Sequence, residues 1–378
     1  MIALAAGLAG LALLLLVWSY LAYPALIARL SRRGKAAAGG PGAMPRSLEV
    51  VLSAADEDGV IGERVRNLLA QETAVPFRIS LGCDGCRDRT AEVARQGLGP
   101  SGRVVEFPER RGKAAVVNDL LRESAADVVI FTDANTRFEP GAVERLADAF
   151  GDPDVGAVCG RLILEAGPSG ASAETAFWDR ETRTKEAEGR LGVCLGANGA
   201  IYAARRAWIE ALPAGSAMDD FLIPARIARR GKKVVFAGDA VAREGTEGDT
   251  AAEFSRRFRI GVGAGQVLRQ ETWLFNLRRH GLLSLVFLSR KAARWIAPVL
   301  VLAAAAAALG DARLRLAGAV LLAAAVLLPL LALAGPRWPR LPGFPGRLYY
   351  FCVINIALGA GVMAGLAGYR RPAWRRTR

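Results

Sequence analysis

Between residues 46 and 245, short apolar runs alternate with segments whose apolar residues recur every three or four positions. The first run, 48–52, predicts a strand that leaves into Ser53-Ala54-Ala55-Asp56-Glu57-Asp58. Val60, Ile61, Val65, Leu68 and Leu69 then share one helical face. Residues 77–81 predict a second strand ending at Gly82-Cys83-Asp84-Gly85, with a helix opening at Asp88-Arg89-Thr90. A third strand is predicted over 103–107, then a helix from Gly112-Lys113 through Leu121. The fourth run, Val128-Val129-Ile130-Phe131, is apolar without a break, as a strand covered on both faces must be. It stops at Thr132-Asp133-Ala134-Asn135. Strands alternating with helices predict a parallel α/β sheet. Such sheets bind ligands outside the carboxyl ends of their strands. Acids follow the first, second and fourth strands, so carboxylates converge on one edge. In an extended backbone Asp133 and Asn135 would point the same way, and oxygen donors suit Mg²⁺ or Mn²⁺.

Beyond residue 150 the pattern loosens. Residues 174–188 predict a charged helix containing Trp178, Glu181 and Lys185, the last two at the spacing of a surface ion pair. Gly196-Ala197-Asn198-Gly199 turns into a short strand through Tyr202. Met218-Asp219-Asp220 precedes Phe221-Leu222-Ile223-Pro224, which opens a helix to Arg230 with Pro in its first turn and acids at its amino end. Residues 234–236 read as an edge strand. Residues 251–294 are Arg-rich and amphipathic, and the part after Trp273 suits a helix lying on a membrane.

Composition changes the picture at the ends of the chain. Hydrophobic residues make up 52% of the sequence, and the excess lies in 2–23, 295–310, 316–335 and 348–369. A crossing takes roughly 20 residues, so four spans are expected, the second rather short. The first lacks a basic start and is followed by Arg29, Arg32, Arg33 and Lys35. It therefore reads as a retained anchor, not a cleaved leader. The net charge of +14 would fit a nucleic-acid partner, but its arginines flank the apolar spans, as at Arg278, Arg279, Arg290, Lys291 and Arg294. Membrane topology accounts for them, and no nucleic-acid partner is expected. With the amino end outside, four crossings also put Arg370 to Arg378 outside, which implies a re-entrant or interfacial segment. Cys83 and Cys86 form a C-x-x-C pair with no second pair or histidine beside it, so the thiols are expected to be reduced.

Six motifs occur in a telling order: Ala54-Ala55-Asp56-Glu57, Cys83-Asp84-Gly85, Arg111-Gly112-Lys113 with Asn118, Asp133-Ala134-Asn135, Gly196-Ala197-Asn198-Gly199 and Asp219-Asp220. Over roughly residues 46–275 the chain resembles a membrane-bound family 2 glycosyltransferase of bacterial polysaccharide-synthesis type. The resemblance implies a GT-A (Rossmann-like α/β) domain over 46–250, a transmembrane anchor over 1–24, an interface segment over 251–294 and transmembrane helices over 295–369. It implies a UDP- or GDP-sugar donor, Mg²⁺ or Mn²⁺, a lipid-linked or glycan acceptor, and a place in the bacterial inner membrane. By the same resemblance Ala55, Glu57, Asp84, Lys113 and Asp133 bind the donor, and Asp133 with Asn135 holds the metal. Asp220 is then the general base of an inverting transfer, and Glu181, Asp219 and Arg259 lie on the acceptor side. Two departures stand out. Asn135 replaces the second acid of the family's Asp-x-Asp. Arg256 and Ile260 replace the Gln and Trp of the processive members' Gln-x-x-Arg-Trp, with only Arg259 kept. Transfer of one or a few sugars is therefore expected in place of processive synthesis. A nucleotidyltransferase and a catalytically silent membrane scaffold remain the other readings.

Basic residues on both sides of 29–279 place that segment in the cytoplasm. Protease added to sealed right-side-out vesicles is expected to leave it uncut, and cleavage within it would reverse the assignment.

Overall fold

The computed structural model describes residues 1–34, 44–165, 172–245, 250–333 and 343–369. Two compact units divide the chain, one built from residues 27–246 and the other from 1–26 with 247–370.

The first unit follows the alternation closely. Its elements begin β1 (Leu48–Ala54), α1 (Asp58–Leu69), β2 (Phe77–Asp84), α2 (Thr90–Leu98), β3 (Gly102–Phe107), α3 (Lys113–Arg122) and β4 (Val128–Thr132). They continue with β5 (Thr136–Phe138), α4 (Ala142–Asp148), β6 (Val155–Glu165), α5 (Ser172–Arg190), β7 (Tyr202–Arg205), α6 (Asp219–Arg229) and β8 (Lys233–Gly245). The strands form one eight-stranded sheet in the order β3-β2-β1-β4-β7-β6-β8-β5. β3, β2, β1 and β4 are parallel, and β7 pairs antiparallel with β4. Val128, Val129 and Ile130 are fully buried and Phe131 is 1% exposed. Each such side chain contributes roughly 1.5–3 kcal/mol of burial, so the centre of the sheet is the firmest part of the unit. Gly82 lets α3 close on β2, since a Cβ there would stand 2.3 Å from Val116 Cγ1.

Two expectations change. Residues 234–236 are not an edge strand: β8 is 13 residues long, and its neighbours are β6 and β5. β6, eleven residues long, was not expected at all. Its glycines weaken the apolar signal, yet both are required. A Cβ at Gly156 would lie 2.3 Å from Ile227 Cγ2, and one at Gly160 would lie 2.7 Å from Ile201 Cγ1.

The strand order has a geometric consequence. Four strand spacings would separate β4 and β5 by about 19 Å in a flat sheet. The Cα steps from Thr132 to Thr136 span at most about 14 Å. The sheet must curl, and β6 and β8 shift register between Val155 and Ala157 and again between Gly160 and Arg161, irregularities of the kind that bend a strand. Curling returns β5 to the carboxyl end of β4.

Among the described residues, two helices are long and apolar enough to cross a membrane, 2–30 and 282–309. The second, expected as a short span from residue 295, begins 13 residues earlier and takes in part of the segment read as interfacial. It meets the first through Arg294, whose Nε donates to Ser19 Oγ at 2.8 Å and whose guanidinium lies 4.3 Å from the Tyr20 ring centre. Of the four spans expected, the other two carry shorter apolar stretches among the described residues, 315–328 and 351–366. The Arg-rich segment forms α7 (Thr250–Gln270), which crosses α8 (Gly343–Leu366) glycine on glycine. A Cβ at Gly261 would lie 2.3 Å from Leu358 O, and one at Gly361 would lie 2.2 Å from Phe258 O. Gly265 and Gly365 repeat the arrangement one turn on, the close approach of small-xxx-small helix pairs.

Backbone cannot yield there as a side chain would. Gly361→Val is expected to destabilise the protein by about 3 kcal/mol, the upper range for overfilling a close contact. Thermal unfolding in detergent checks this, and an unchanged midpoint would refute the crossing.

Candidate active site

Acids placed by the strand ends turn out to do two different jobs. At the outer strands they latch loops. Asp84, at the end of β2, is 1% exposed, and its two oxygens accept the backbone N–H groups of Arg111 at 2.6 Å and Gly112 at 2.8 Å. Arg110 reaches Asp56 Oδ2 at 2.6 Å and the Asp84 carbonyl at 3.2 Å. Asp56 takes φ +58°, a left-handed conformation that Asp tolerates better than most residues, and accepts the Arg87 N–H at 2.7 Å. Burial works against its charge, but the Arg87 N–H and Arg110 outweigh that and hold its carboxyl below the usual range. The Glu57 N–H donates to Thr90 Oγ1 at 2.7 Å, and both Ala55 and the Glu57 side chain are buried. Together these contacts fix the loop that delivers Lys113 to the first turn of α3.

At the central strand the acids meet a cation. Lys113 Nζ lies 2.8 Å from Asp133 Oδ1 and 3.4 Å from Asp219 Oδ2. Tyr202 OH donates to the same Asp219 oxygen at 3.0 Å, and its ring stacks on Phe131 with centroids 4.5 Å apart. A Cβ on Gly199 would stand 3.7 Å from both Asp133 Oδ2 and Asp220 Oδ2. The missing side chain therefore leaves one small space that both carboxylates border. Burial opposes the charge on Lys113, but Asp133, Asp219 and Asp220 prevail and raise its pKa above that of an ordinary lysine. Burial first, then Asp219 and Asp220, push the Tyr202 phenol well above its usual value, so it stays a donor.

The loop around Gly199 is held from three sides. The Ala197 N–H donates to the Asp220 carbonyl at 2.9 Å. Asn198 Nδ2 donates to Gly160 O at 2.7 Å, and Lys185 donates to Asn198 Oδ1. Asn118 exchanges two 2.9 Å bonds with the backbone of Leu212.

Of the residues the sequence singled out, Lys113, Asp133, Asp219 and Asp220 come together. Asp219, expected to face an acceptor, is 8% exposed and engaged by Tyr202 and Lys113. Lys185 is buried against Asn198, so the surface ion pair is replaced by a core contact. Glu181 lies half-buried on α5, and Arg259 lies on α7 in the second unit. Asp133 and Asn135 do not point the same way from an extended backbone. They sit at a turn, where Asp133 meets Lys113 while the exposed Asn135 donates from Nδ2 to Glu244 Oε1 at 3.0 Å. That bond leaves Asn135 Oδ1 as its free face. Asp133 and Asn135 each offer an oxygen of the kind that suits Mg²⁺ or Mn²⁺, although their side chains are engaged by different partners, Lys113 and Glu244.

Arg64 and Asn67, buried on and half-buried along α1, were not expected at the site. Arg64 Nη2 donates to Thr132 Oγ1 at 2.6 Å. A charged residue at a core position of the helix was the only signal available.

A family described as glycosyltransferase like family 2 matches residues 45–263. An N-acetylglucosaminyltransferase of Rhizobium meliloti is 27% identical over 175 residues, which is 44% of this chain and 41% of the relative. An O-antigen chain rhamnosyltransferase of Salmonella anatum is 29% identical over 153 residues, 38% of this chain and 49% of the relative. The chain thus matches less than half of these relatives' lengths. A solved mannosyltransferase from Pyrobaculum calidifontis, in complex with GDP-Man and Mn²⁺, superposes with a TM-score of 0.62 and 22% identity over 95% of this chain and 99% of its own. That likeness establishes the GT-A fold.

The Lys113 cluster generates a pH signature. A raised lysine pKa stabilises the fold below the free value of 10.5 and is lost as pH climbs toward the folded-state value. The stability gap between wild type and Lys113→Met, measured by urea unfolding, is expected to stay constant from pH 7 to about 10 and to close above that. A gap that closes below pH 9 would remove the ion pair as its source.

Proposed function

We propose, for a chain that belongs to glycosyltransferase family 2, that it transfers a sugar with inversion from a nucleotide-sugar donor to an acceptor held at the bacterial inner membrane. One observation carries the reading: Lys113 sits among Asp133, Asp219 and Asp220 at the carboxyl edge of the parallel strands. In such sheets that edge is where ligands bind.

Each residue then has a task. By the family resemblance Glu57 and Asp84 would hold the donor's base and ribose, although the Asp84 oxygens accept the Arg111 and Gly112 N–H groups, which gives it a loop-shaping task as well. Lys113 offers a point charge to the diphosphate. Asp133 and the Oδ1 of Asn135 would hold Mg²⁺ or Mn²⁺, which adds positive charge at the leaving group. Asp219 and Tyr202 keep Lys113 and the acid pair in register. Asp220 takes the acceptor hydroxyl's proton as that oxygen attacks the anomeric carbon and the nucleoside diphosphate departs. Gly199 keeps the space between Asp133 and Asp220 open for the donor sugar. Ile260, where processive members carry an aromatic ring, favours transfer of one or a few sugars to a lipid-linked acceptor.

Purified full-length protein incubated with UDP- and GDP-sugars, with product sized by mass spectrometry, tests this. Nucleoside diphosphate release is expected with one of the donors, and Asp220→Asn is expected to lower turnover by roughly 10² or more with donor binding retained. No release from any donor would sink the transfer reading, and an Asp220→Asn variant turning over like wild type would remove the base.

A further inference from the structure

The turn that carries Asp133 and Asn135 is framed by a buried polar clamp on α1. On the β4 side, Arg64 Nη2 donates to Thr132 Oγ1 at 2.6 Å, and that hydroxyl donates onward to Ala200 O at 2.7 Å. On the β5 side, Asn67 Nδ2 donates to Phe138 O at 2.9 Å, while Asn67 Oδ1 accepts the Phe138 N–H at 2.8 Å. Arg64 Nη1 closes the frame by donating to Asn67 Oδ1 at 2.6 Å. The guanidinium also covers the Phe138 ring, 4.3 Å from its centre. One side-chain pair thus grips the residue before the turn, the strand after it, and the loop bearing Gly199.

This arrangement is costly for the fold. Arg64 is 2% exposed, its Nε has no hydrogen-bond partner among the described residues, and its Nη1 and Nη2 donate to the neutral oxygens of Asn67 and Thr132. Burial lowers its pKa to about 9, with Asp133 opposing, so it remains charged at neutral pH. A buried charge can often be replaced by a fitted apolar side chain with no loss of stability. Breaks of this kind between local rule and fold gather at functional sites.

We infer that Arg64 is a positioning residue for the donor site. Through Thr132 and Asn67 it fixes the turn 133–135, and so sets where Asp133 and Asn135 meet the donor's diphosphate and its cation. The inference rests on the proposed metal-assisted transfer for its consequence, but the clamp itself is testable without it. β5 is only three residues long, too short to pin the turn by its own ladder. The turn lies between two anchors, Thr132 at the end of β4 and Phe138 in β5.

The decisive variants are Thr132→Val, which deletes the bridging hydroxyl at nearly constant volume, and Arg64→Gln, which deletes the charge. Two readouts on the full chain in detergent are needed. Hydrogen exchange across residues 132–138 is expected to quicken at least about tenfold in both variants, with exchange in β1 and β2 unchanged. Mn²⁺ affinity, titrated by electron paramagnetic resonance with saturating GDP or UDP, is expected to fall about tenfold or more, the usual cost of losing an orienting partner. Asp133→Ala serves as the control that removes a ligand. Lowered thermal stability with unchanged exchange at 132–138 and unchanged Mn²⁺ affinity would reduce Arg64 to a structural residue and overturn the inference. Wild-type protein that holds no Mn²⁺ with either nucleotide would overturn the cation reading instead, and faster exchange at 132–138 would then still support the clamp.

Discussion

Three carboxylates share the centre of this site because one ammonium stands among them. At an effective dielectric constant near 20, two like charges 4 Å apart repel by about 4 kcal/mol. Asp133 comes from the exit of β4, Asp219 and Asp220 from the start of α6, and Lys113 from the start of α3. These ends can lie together only while Lys113 offsets the repulsion. Tyr202, buried and proton-bearing, adds a neutral donor to Asp219 where a second cation would have crowded the first. The rest of the edge serves that meeting. Asp84 and Arg110 stiffen the loop before Lys113, and the Asp220 carbonyl holds the loop carrying Gly199. Lys113 alone does not balance the three acids, and the buried Arg64 adds its charge beside Asp133.

The half of the sheet that obeys simple pattern rules is legible in the amino-acid order alone. Strands β1 to β4 are continuous apolar runs, and burial on both faces writes itself into such runs. β6 is not legible because Gly156 and Gly160 sit where neighbouring side chains, Ile227 and Ile201, fill the space instead. The length of β8 is hidden for a related reason, since Gly238, Asp239 and Arg243 interrupt it where the sheet curls. In the second unit the difference comes from charge. Arg290, Lys291 and Arg294 end the apolar count at residue 295, although the helix runs on through them from residue 282.

The site is legible as a set of acids and one lysine, not as a geometry. Spacing puts Asp133 and Asn135 together, but a turn separates their partners, Lys113 and Glu244. Asp84 and Asp133 look alike in sequence, each an acid beyond an apolar run. One spends its oxygens on backbone N–H groups, the other faces the open edge, and only long-range partners distinguish them. Arg64 is invisible for the same reason. Its hydrogen bonds reach residues 3 and 68 positions away, and the roles of those residues depend in turn on the curl of the sheet.

The glycine crossing of α7 and α8 bears on the order in which the chain is made. Gly261 and Gly265 present bare backbone to Gly361 and Gly365, which leave the ribosome about 100 residues later, or roughly 5–20 s at ordinary rates of synthesis. During that interval the sheet that precedes α7 in the chain is already complete in sequence and free to close, since none of its eight strands lies beyond residue 245. α7 alone must wait, with a flat glycine face and an arginine-rich flank and no helix yet to cover it. Until Gly361 and Gly365 arrive, residues 250–270 carry an uncovered glycine face, which makes them the interval in which assembly is most exposed to going wrong.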